Sequence, residues 1–359
     1  MRRRDILTKA GALAIGASVG FPAPAISQGL RQLRMVTDWP EGPGLFTSAR
    51  RLAKRIGDAT NGRIAIEVFA SGELVRPFET LDAVQAGVVD MYQSHDGYFQ
   101  AKSPAFHFFS GVPFGLTANE QFAWVHHGGG QELWDELSGQ FNVKPLCGCS
   151  TGSQMGGWFL HEVASVEDFE GLRYRMADPG AEVLRRLGAV VVVLPGSDVV
   201  LALQSGAIDA CELIGPWMDM AMGLHAAASV YYYPAWQEPG TALTFGINQR
   251  VWESFDESDR QLIQAAAAGE FALSLAEFNA NNARSLRALR DDGSVTIARF
   301  PDSVLMSLRE VSADVVAEIG SGDELSRKIY ASYLQFRELI SSWTEISENA
   351  YANSRQIAS

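Results

Sequence analysis

Ala83-Val84-Gln85-Ala86-Gly87-Val88-Val89-Asp90 and Ala202-Leu203-Gln204-Ser205-Gly206-Ala207-Ile208-Asp209 write one motif twice, with Gln85 and Gln204 119 positions apart. Each copy reads as the end of an amphipathic helix, a glycine free to take the left-handed conformation, then a short apolar strand closed by Asp. That is a helix-to-strand joint of α/β architecture. Glycine after a helix is common enough for so short a motif to recur by chance. Here, however, each copy lies inside its own run of alternating helix and strand signals, which predicts two similar lobes with a cleft between them.

Outward from the first copy, Arg34 to Trp39 predicts a strand and Glu41-Gly42-Pro43-Gly44 a turn into a helix from Phe46 to Thr60. A strand over Ile64–Phe69, a helix over Glu79–Ala86 and a strand over Val88–Tyr92 complete a β-α-β-α-β start. One helix around Gln121–Leu137 and a strand over Val143–Cys149 follow. Around the second copy, Leu172–Arg175 and Val190–Leu194 read as strands and Gly180–Leu187 as a helix. Thr241–Asn248 returns toward the first lobe. The connections therefore fall near Thr151–Gly157 and Glu238–Thr241. Asp256 to Leu289 predicts a helix of roughly 50 Å, long enough to brace both halves, with Asp256 as its N-cap. Asp323 to Asn353 is a second long helix, with Tyr330, Tyr333, Phe336, Ile340, Trp343 and Ile346 mostly three or four apart. Such a stripe fits packing within the chain or, at a terminus, on a second copy in a homodimer. The division expected is residues 1–27 as an export signal, 28–152 with 241–270 as lobe I, 153–240 with 271–322 as lobe II, and 323–359 as the C-terminal helix.

The export signal is read from Met1-Arg2-Arg3-Arg4-Asp5-Ile6-Leu7-Thr8-Lys9, an apolar run from Ala10 to Phe21, and small residues at cleavage spacing before Ser27. The paired arginines resemble the twin-arginine pattern, while a general secretory signal would equally place the product outside the cytoplasm. Removing Arg2, Arg3, Arg4 and Lys9 against Asp5 takes the net charge from −13 to −16. A surface this acidic argues against nucleic acid as a partner, and an anionic ligand would need a well-placed arginine rather than a long-range field. Cys147, Cys149 and Cys211 form no CxxC pair or metal-finger spacing and read as buried free thiols.

Gly148-Cys149-Ser150-Thr151-Gly152 matches the GxSxG nucleophile elbow, and His127-Gly128-Gly129-Gly130 matches the oxyanion loop of esterases. The two lie too close for a hydrolase sheet, and no histidine follows His225 to complete a triad in the usual order. A secreted esterase using Ser150 is therefore the alternative rather than the main expectation. His161-Glu162 lacks the second histidine of a zinc protease. Three polar residues interrupt apolar or glycine-rich sequence at strand ends or crossovers: Gln154, Arg175 and Glu212. In open α/β sheets ligands bind beyond the carboxyl ends of the strands, where these would meet. Arg175 suits a bidentate carboxylate clamp, and Glu212 with Gln154 offers hard oxygens for Na⁺ or Ca²⁺. Taken singly, they also fit a surface arginine, a hydrogen-bonded core glutamine and a salt-bridged glutamate.

Leu74 through Met91, Gly171-Leu172-x-x-Arg175 and Gln204-Ser205-Gly206-x-x-Asp209-Ala210-x-Glu212 resemble the DctP-type solute receptors of tripartite ATP-independent periplasmic (TRAP) transporters. Thr151 through Trp158, Tyr231-Tyr232-Tyr233-Pro234 and Trp236-x-Glu238-Pro239-Gly240 are similar to the subgroup that includes the 2-oxo acid receptor. The resemblance implies an α/β, two-lobe periplasmic binding protein fold of type II, with a long helix bracing both lobes and a long C-terminal helix. It implies no enzymatic chemistry, a periplasmic location, and delivery of a small 2-oxo or 2-hydroxy monocarboxylate to TRAP membrane subunits. It also implies that Arg175 pairs with the ligand carboxylate. A cation, Na⁺ or Ca²⁺, would bridge ligand and protein through Gln154, Glu212 and the backbone of Leu213. Two departures bear on the ligand. Leu213 stands where the subgroup often has Trp, and Gln93 through Phe99 brings His95 and Asp96 to a stretch expected to be small and aromatic. Trp39, Tyr98, Phe99, Trp217 and Trp236 are the candidate pocket walls, with Tyr98, Trp217 and Trp236 placed among the substrate-binding residues. A receptor feeding a sensor rather than a transporter is a further alternative.

Overall fold

The computed structural model describes residues 29–357, apart from Val193, Pro195 and the side chain of Ser197. The export signal lies outside the described residues. Among the described residues, eleven strands form two sheets. In the first, β1 (Arg31–Thr37) pairs parallel with β2 (Ile64–Phe69) and β3 (Met91–Ser94). β3 then meets β10 (Thr241–Asn248) antiparallel, and β10 meets β4 (Val143–Gly152) in the same sense, giving the order β2-β1-β3-β10-β4.

The second sheet repeats that scheme. β6 (Arg173–Arg175) lies parallel to β7 (Val190–Val192) and β8 (Ala210–Cys211). β8 meets β5 (Gly157–Phe159) antiparallel, β5 meets β9 (Val230–Tyr233), and β11 (Thr296–Arg299) adds an edge. The chain thus passes between sheets after Gly152, after Tyr233 and again between β10 and β11. In the first sheet the strand beside the parallel trio, β10, comes from beyond the second passage, whereas in the second sheet that strand, β5, directly follows the first passage.

The doubled motif forms two matching joints. Gly87 (φ 71°) and Gly206 (φ 68°) are left-handed. Val88 and Ala207 donate their N–H groups back to Ala83 and Ala202, and those returning bonds keep the residues after each glycine out of the sheet. The strands therefore begin after each Asp, at Met91 and Ala210, later than the apolar run predicts. Each Asp pins the neighbouring strand instead. Asp90 accepts from the Arg34 N–H at 2.7 Å, and Asp209 accepts from the Arg173 N–H at 3.0 Å. The two arginines reach back to the turns, at Val88 O and Gly206 O respectively.

The single helix expected around Gln121–Leu137 is two, Ala118–His127 and Gly130–Gly139, broken where Gly129 turns to φ 81°. The long helix runs over Glu257–Asp292, with Asp256 capping Asp259 N–H at 2.8 Å and Gly293 closing it at φ 70°. It is unbroken at residue 270, and Phe271 and Phe278 still pack with residues of the first sheet. Its side chains tie both halves. Ser274 Oγ accepts from Ser150 N–H, on β4, at 3.0 Å, and Asn282 Oδ1 accepts from Trp217 N–H, beyond β8, at 3.0 Å.

The C-terminal stripe divides. Ile329 and Tyr333 are buried in the first lobe, where the Tyr333 hydroxyl accepts from Leu116 N–H at 2.8 Å; Tyr330, Phe336 and Ile340 pack alongside. Trp343 (62 % exposed) and Ile346 (71 %) face outward. All three cysteines are buried and free. No helix among the described residues is long and apolar enough to cross a membrane.

Candidate ligand-binding cleft

Arg175 is the last residue of β6, and Glu212 is the first residue after β8, the parallel neighbour of β6. Both therefore leave the second sheet at the carboxyl ends of its strands, and Glu212 N–H donates to Arg175 O at 3.0 Å. The guanidinium is buried and locked by two backbone carbonyls: Nε donates to Leu194 O at 3.1 Å and Nη1 to Glu212 O at 2.5 Å. Its separation from the Glu212 carboxylate, 3.9 Å, exceeds hydrogen-bond length. Gln154, in the first crossover, donates Nε2 to Thr241 Oγ1 at 2.7 Å. That bond fixes the amide and turns its oxygen away from the hydroxyl.

Two oxygens are left over. Gln154 Oε1 and Glu212 Oε1 are both buried without a hydrogen-bond partner. Burial pushes Glu212 well above the usual carboxylate range; repulsion from Glu238 adds to this and Arg175 opposes it. Burial would raise Glu238 too, but His95 and Thr241 outweigh it and hold that carboxyl below its usual range. His95 Nε2 lies 3.2 Å from Glu238 Oε1, and Thr241 Oγ1 donates to Glu238 Oε2 at 2.8 Å. An orphaned carboxylate oxygen and an orphaned amide oxygen suit a hard cation. No group of three His, Cys, Asp or Glu that could hold a metal occurs among the described residues. The remaining ligands would therefore be carbonyl oxygens, as Leu213 offers.

The loop carrying Glu212 and Leu213 is anchored by a residue outside the sequence-predicted set. Asp219 is buried in the short helix Pro216–Met222. Its Oδ1 accepts from Ile214 N–H (3.2 Å) and Gly215 N–H (3.1 Å). Its Oδ2 accepts from Trp158 Nε1 (2.9 Å) and the Tyr231 hydroxyl (2.7 Å). Burial pushes its carboxyl up to about 6.

These groups line one cavity of about 500 Å³ between the sheets, which holds Tyr98, Gln154, Arg175, Glu212 and Leu213 together with Trp39 and His95. Tyr98 sits edge-on to Phe78, with ring centres 4.6 Å apart. Burial raises the pKa of its hydroxyl, which Arg175 opposes, so it stays a hydrogen-bond donor. Trp217 and Trp236 do not line the cavity. Trp217 packs edge-on against Phe278, and Trp236 is buried beside Phe114. Phe99 turns into the core against Tyr92 and Phe106. Asp96 also turns away, accepting from Trp134 Nε1 at 2.8 Å.

Ser150 is no nucleophile elbow. It lies within β4, fully buried, its hydroxyl donating to Thr241 O at 2.7 Å, and no histidine among the described residues is bonded to it.

Residues 35–323 match the model of the bacterial extracellular solute-binding proteins, family 7, the DctP type. The chain belongs to that family. It is 38 % identical to a monocarboxylate 2-oxoacid-binding periplasmic protein of Nostoc, over 98 % of each chain. A TRAP transporter solute-binding protein of Bordetella bronchiseptica superposes with a TM-score of 0.88 at 33 % identity, covering 91 % of this chain and 98 % of that one. It is described as a mixed-occupancy dimer with calcium and picolinate in one site. A TRAP periplasmic solute-binding protein of Pseudoalteromonas atlantica, with bound sodium and pyruvate, gives 0.87 at 32 % identity, covering 91 % and 99 %. All three are solute-binding proteins, which leaves the esterase alternative without support.

In this family-7 protein, Asp219→Ala should strand Trp158 Nε1 and the Tyr231 hydroxyl in the core and free the loop after β8. The expected loss is about 3 kcal/mol of unfolding free energy in urea titrations. A loss below about 1 kcal/mol would show that Asp219 does not anchor the loop.

Proposed function

We propose that the protein is a periplasmic receptor that closes on a small 2-oxo or 2-hydroxy monocarboxylate and hands it to TRAP membrane subunits without altering it. The observation that carries this is the pairing of a locked, buried guanidinium with two orphaned oxygens beside it. Arg175 would take the ligand carboxylate through charge-assisted hydrogen bonds, its plane already set by Leu194 O and Glu212 O. Gln154 Oε1, Glu212 and the Leu213 carbonyl would hold Na⁺ or Ca²⁺. When bound, that cation supplies positive charge for the carboxylate and 2-oxo oxygens. Neighbours carrying sodium with pyruvate and calcium with picolinate support the same combination.

Closure follows from the placement of the groups. Tyr98, Trp39 and His95 come from the first sheet's loops, Arg175 and Glu212 from the second, and Gln154 from the crossover between them. The crossovers at residues 153–156 and 234–240 are where bending would bring them together. A Lys at position 175 cannot reproduce the guanidinium's fixed fork. Arg175→Lys is therefore expected to weaken calorimetric affinity for pyruvate at least tenfold, about 1.4 kcal/mol. Unchanged affinity would remove Arg175 from the site.

The outward residues Leu339, Trp343, Ile346 and Tyr351 support a homodimer through the C-terminal helix, in keeping with the dimer described for the Bordetella neighbour. Light scattering at micromolar concentration should give the mass of two chains, and Trp343→Glu should halve it. A single-chain mass in the unmodified protein would exclude this interface.

A further inference from the structure

Gln154 has two faces to offer the cleft, and its neighbours choose between them. Half a turn of the side-chain amide exchanges an oxygen that accepts for an NH₂ group that only donates. A hard cation needs the oxygen. The selection comes from a run of hydrogen bonds that crosses both connections between the sheets. It leads from Gln154, in residues 153–156, through Thr241, the first residue of β10, to Glu238, in residues 234–240.

The direction of every bond in that run is set at its far end. An ionised carboxylate accepts hydrogen bonds and has none to give. Glu238 is held in that form: burial would raise its carboxyl, but His95, with Nε2 3.2 Å from Oε1, and Thr241 outweigh the burial. The single hydroxyl proton of Thr241 is therefore committed to Glu238 Oε2, at 2.8 Å. Only lone pairs remain on Thr241 Oγ1 for Gln154, so the amide group that meets it, at 2.7 Å, is Nε2. Nε2 also faces Thr151 Oγ1, a second acceptor, at 3.4 Å. Gln154 Oε1 is thereby turned away from both hydroxyls and left buried without a partner. Thr241 and Gln154 are themselves buried, and the Glu238 side chain is only 12 % exposed, so the run is closed to the solvent exchange that would let the amide turn over.

We infer that Glu238 is a positioning residue: acting through Thr241, it fixes the Gln154 amide with its oxygen toward the cation. This rests on the cation reading of the cleft. Thr241→Val keeps the shape and every charge but removes the hydroxyl, and Thr241→Ser restores it. Calcium, and separately sodium, would be titrated calorimetrically into the mature protein with pyruvate present. For the ion that binds, affinity is expected to fall at least tenfold in Thr241→Val and to stay within about threefold of the unmodified protein in Thr241→Ser. Glu238→Gln should also cost at least tenfold, because an amide at 238 can donate to Thr241 and leave the hydroxyl proton for Gln154 Oε1. That variant removes a charge as well, so the combined variant separates the two effects. Residues acting through one chain are not additive, and the pair should lose little more than Glu238→Gln alone. Losses that multiply would mean that Glu238 acts by charge alone and would overturn the positioning role. Thr241→Val binding the ion within about threefold of the unmodified protein would overturn it too, the hydroxyl then serving only the melting temperature of the cation-free protein. Either result leaves the cation reading standing. Failure of the unmodified protein to bind either ion would overturn the two together.

Discussion

A buried carboxylate that its neighbouring arginine does not neutralise governs this cleft. Placing a charge in a low-dielectric interior costs several kcal/mol unless hydrogen bonds or an opposite charge compensate it. Arg175 is near enough to soften that cost, but its Nε and Nη1 are committed to the carbonyls of Leu194 and Glu212. The guanidinium is thus aimed by the backbone rather than absorbed into an ion pair. Glu238 sharpens the imbalance, because its carboxyl stays ionised beside His95 and repels Glu212. A fold that tolerates this arrangement is poised for an incoming cation and an incoming carboxylate together. Each would lower the cost of the other, and the coupling must be reciprocal.

The architecture explains why such a site can exist without collapsing on itself. The charged groups stand at strand ends and in a crossover, so no single lobe contains them all. Each sheet carries the same device, a glycine that ends a helix and an Asp that bonds the backbone of the neighbouring, earlier strand. Asp219 then freezes the loop that carries Glu212 and Leu213. The helix Glu257–Asp292 bonds β4 at Ser150 and the loop beyond β8 at Trp217, and so keeps the two frames in register along one side.

Much of this is legible in the amino-acid sequence. The doubled motif announces two α/β lobes because a left-handed glycine ends each helix and each copy lies in its own run of alternating helix and strand signals. Arg175, Gln154 and Glu212 stood out because polar residues amid apolar strand ends need a reason to be there. The aromatic walls were less readable. Tyr98 and Trp39 face the cleft while Phe99, Trp217 and Trp236 serve the core, and an aromatic side chain carries no mark of which side it will face. Strand starts were read too early because backbone N–H groups after a left-handed glycine return to the helix, a bond that no hydrophobic pattern encodes. Asp219 escapes sequence reading because two of its four donors, Trp158 Nε1 and the Tyr231 hydroxyl, come from strands distant in sequence, and an Asp inside the short helix Pro216–Met222 carries no mark of its burial.

The claim that ligand and cation complete one site together is tested most directly by calorimetric titration of pyruvate into protein freed of calcium and sodium, in a choline chloride buffer, and again after each ion is restored. Affinity should fall at least tenfold in the stripped protein and return with calcium or sodium, with the same factor appearing when the ion is titrated with and without pyruvate. Full affinity in the ion-free buffer would contradict the account, leaving Arg175 alone as the anchor and the orphaned oxygens of Gln154 and Glu212 unexplained.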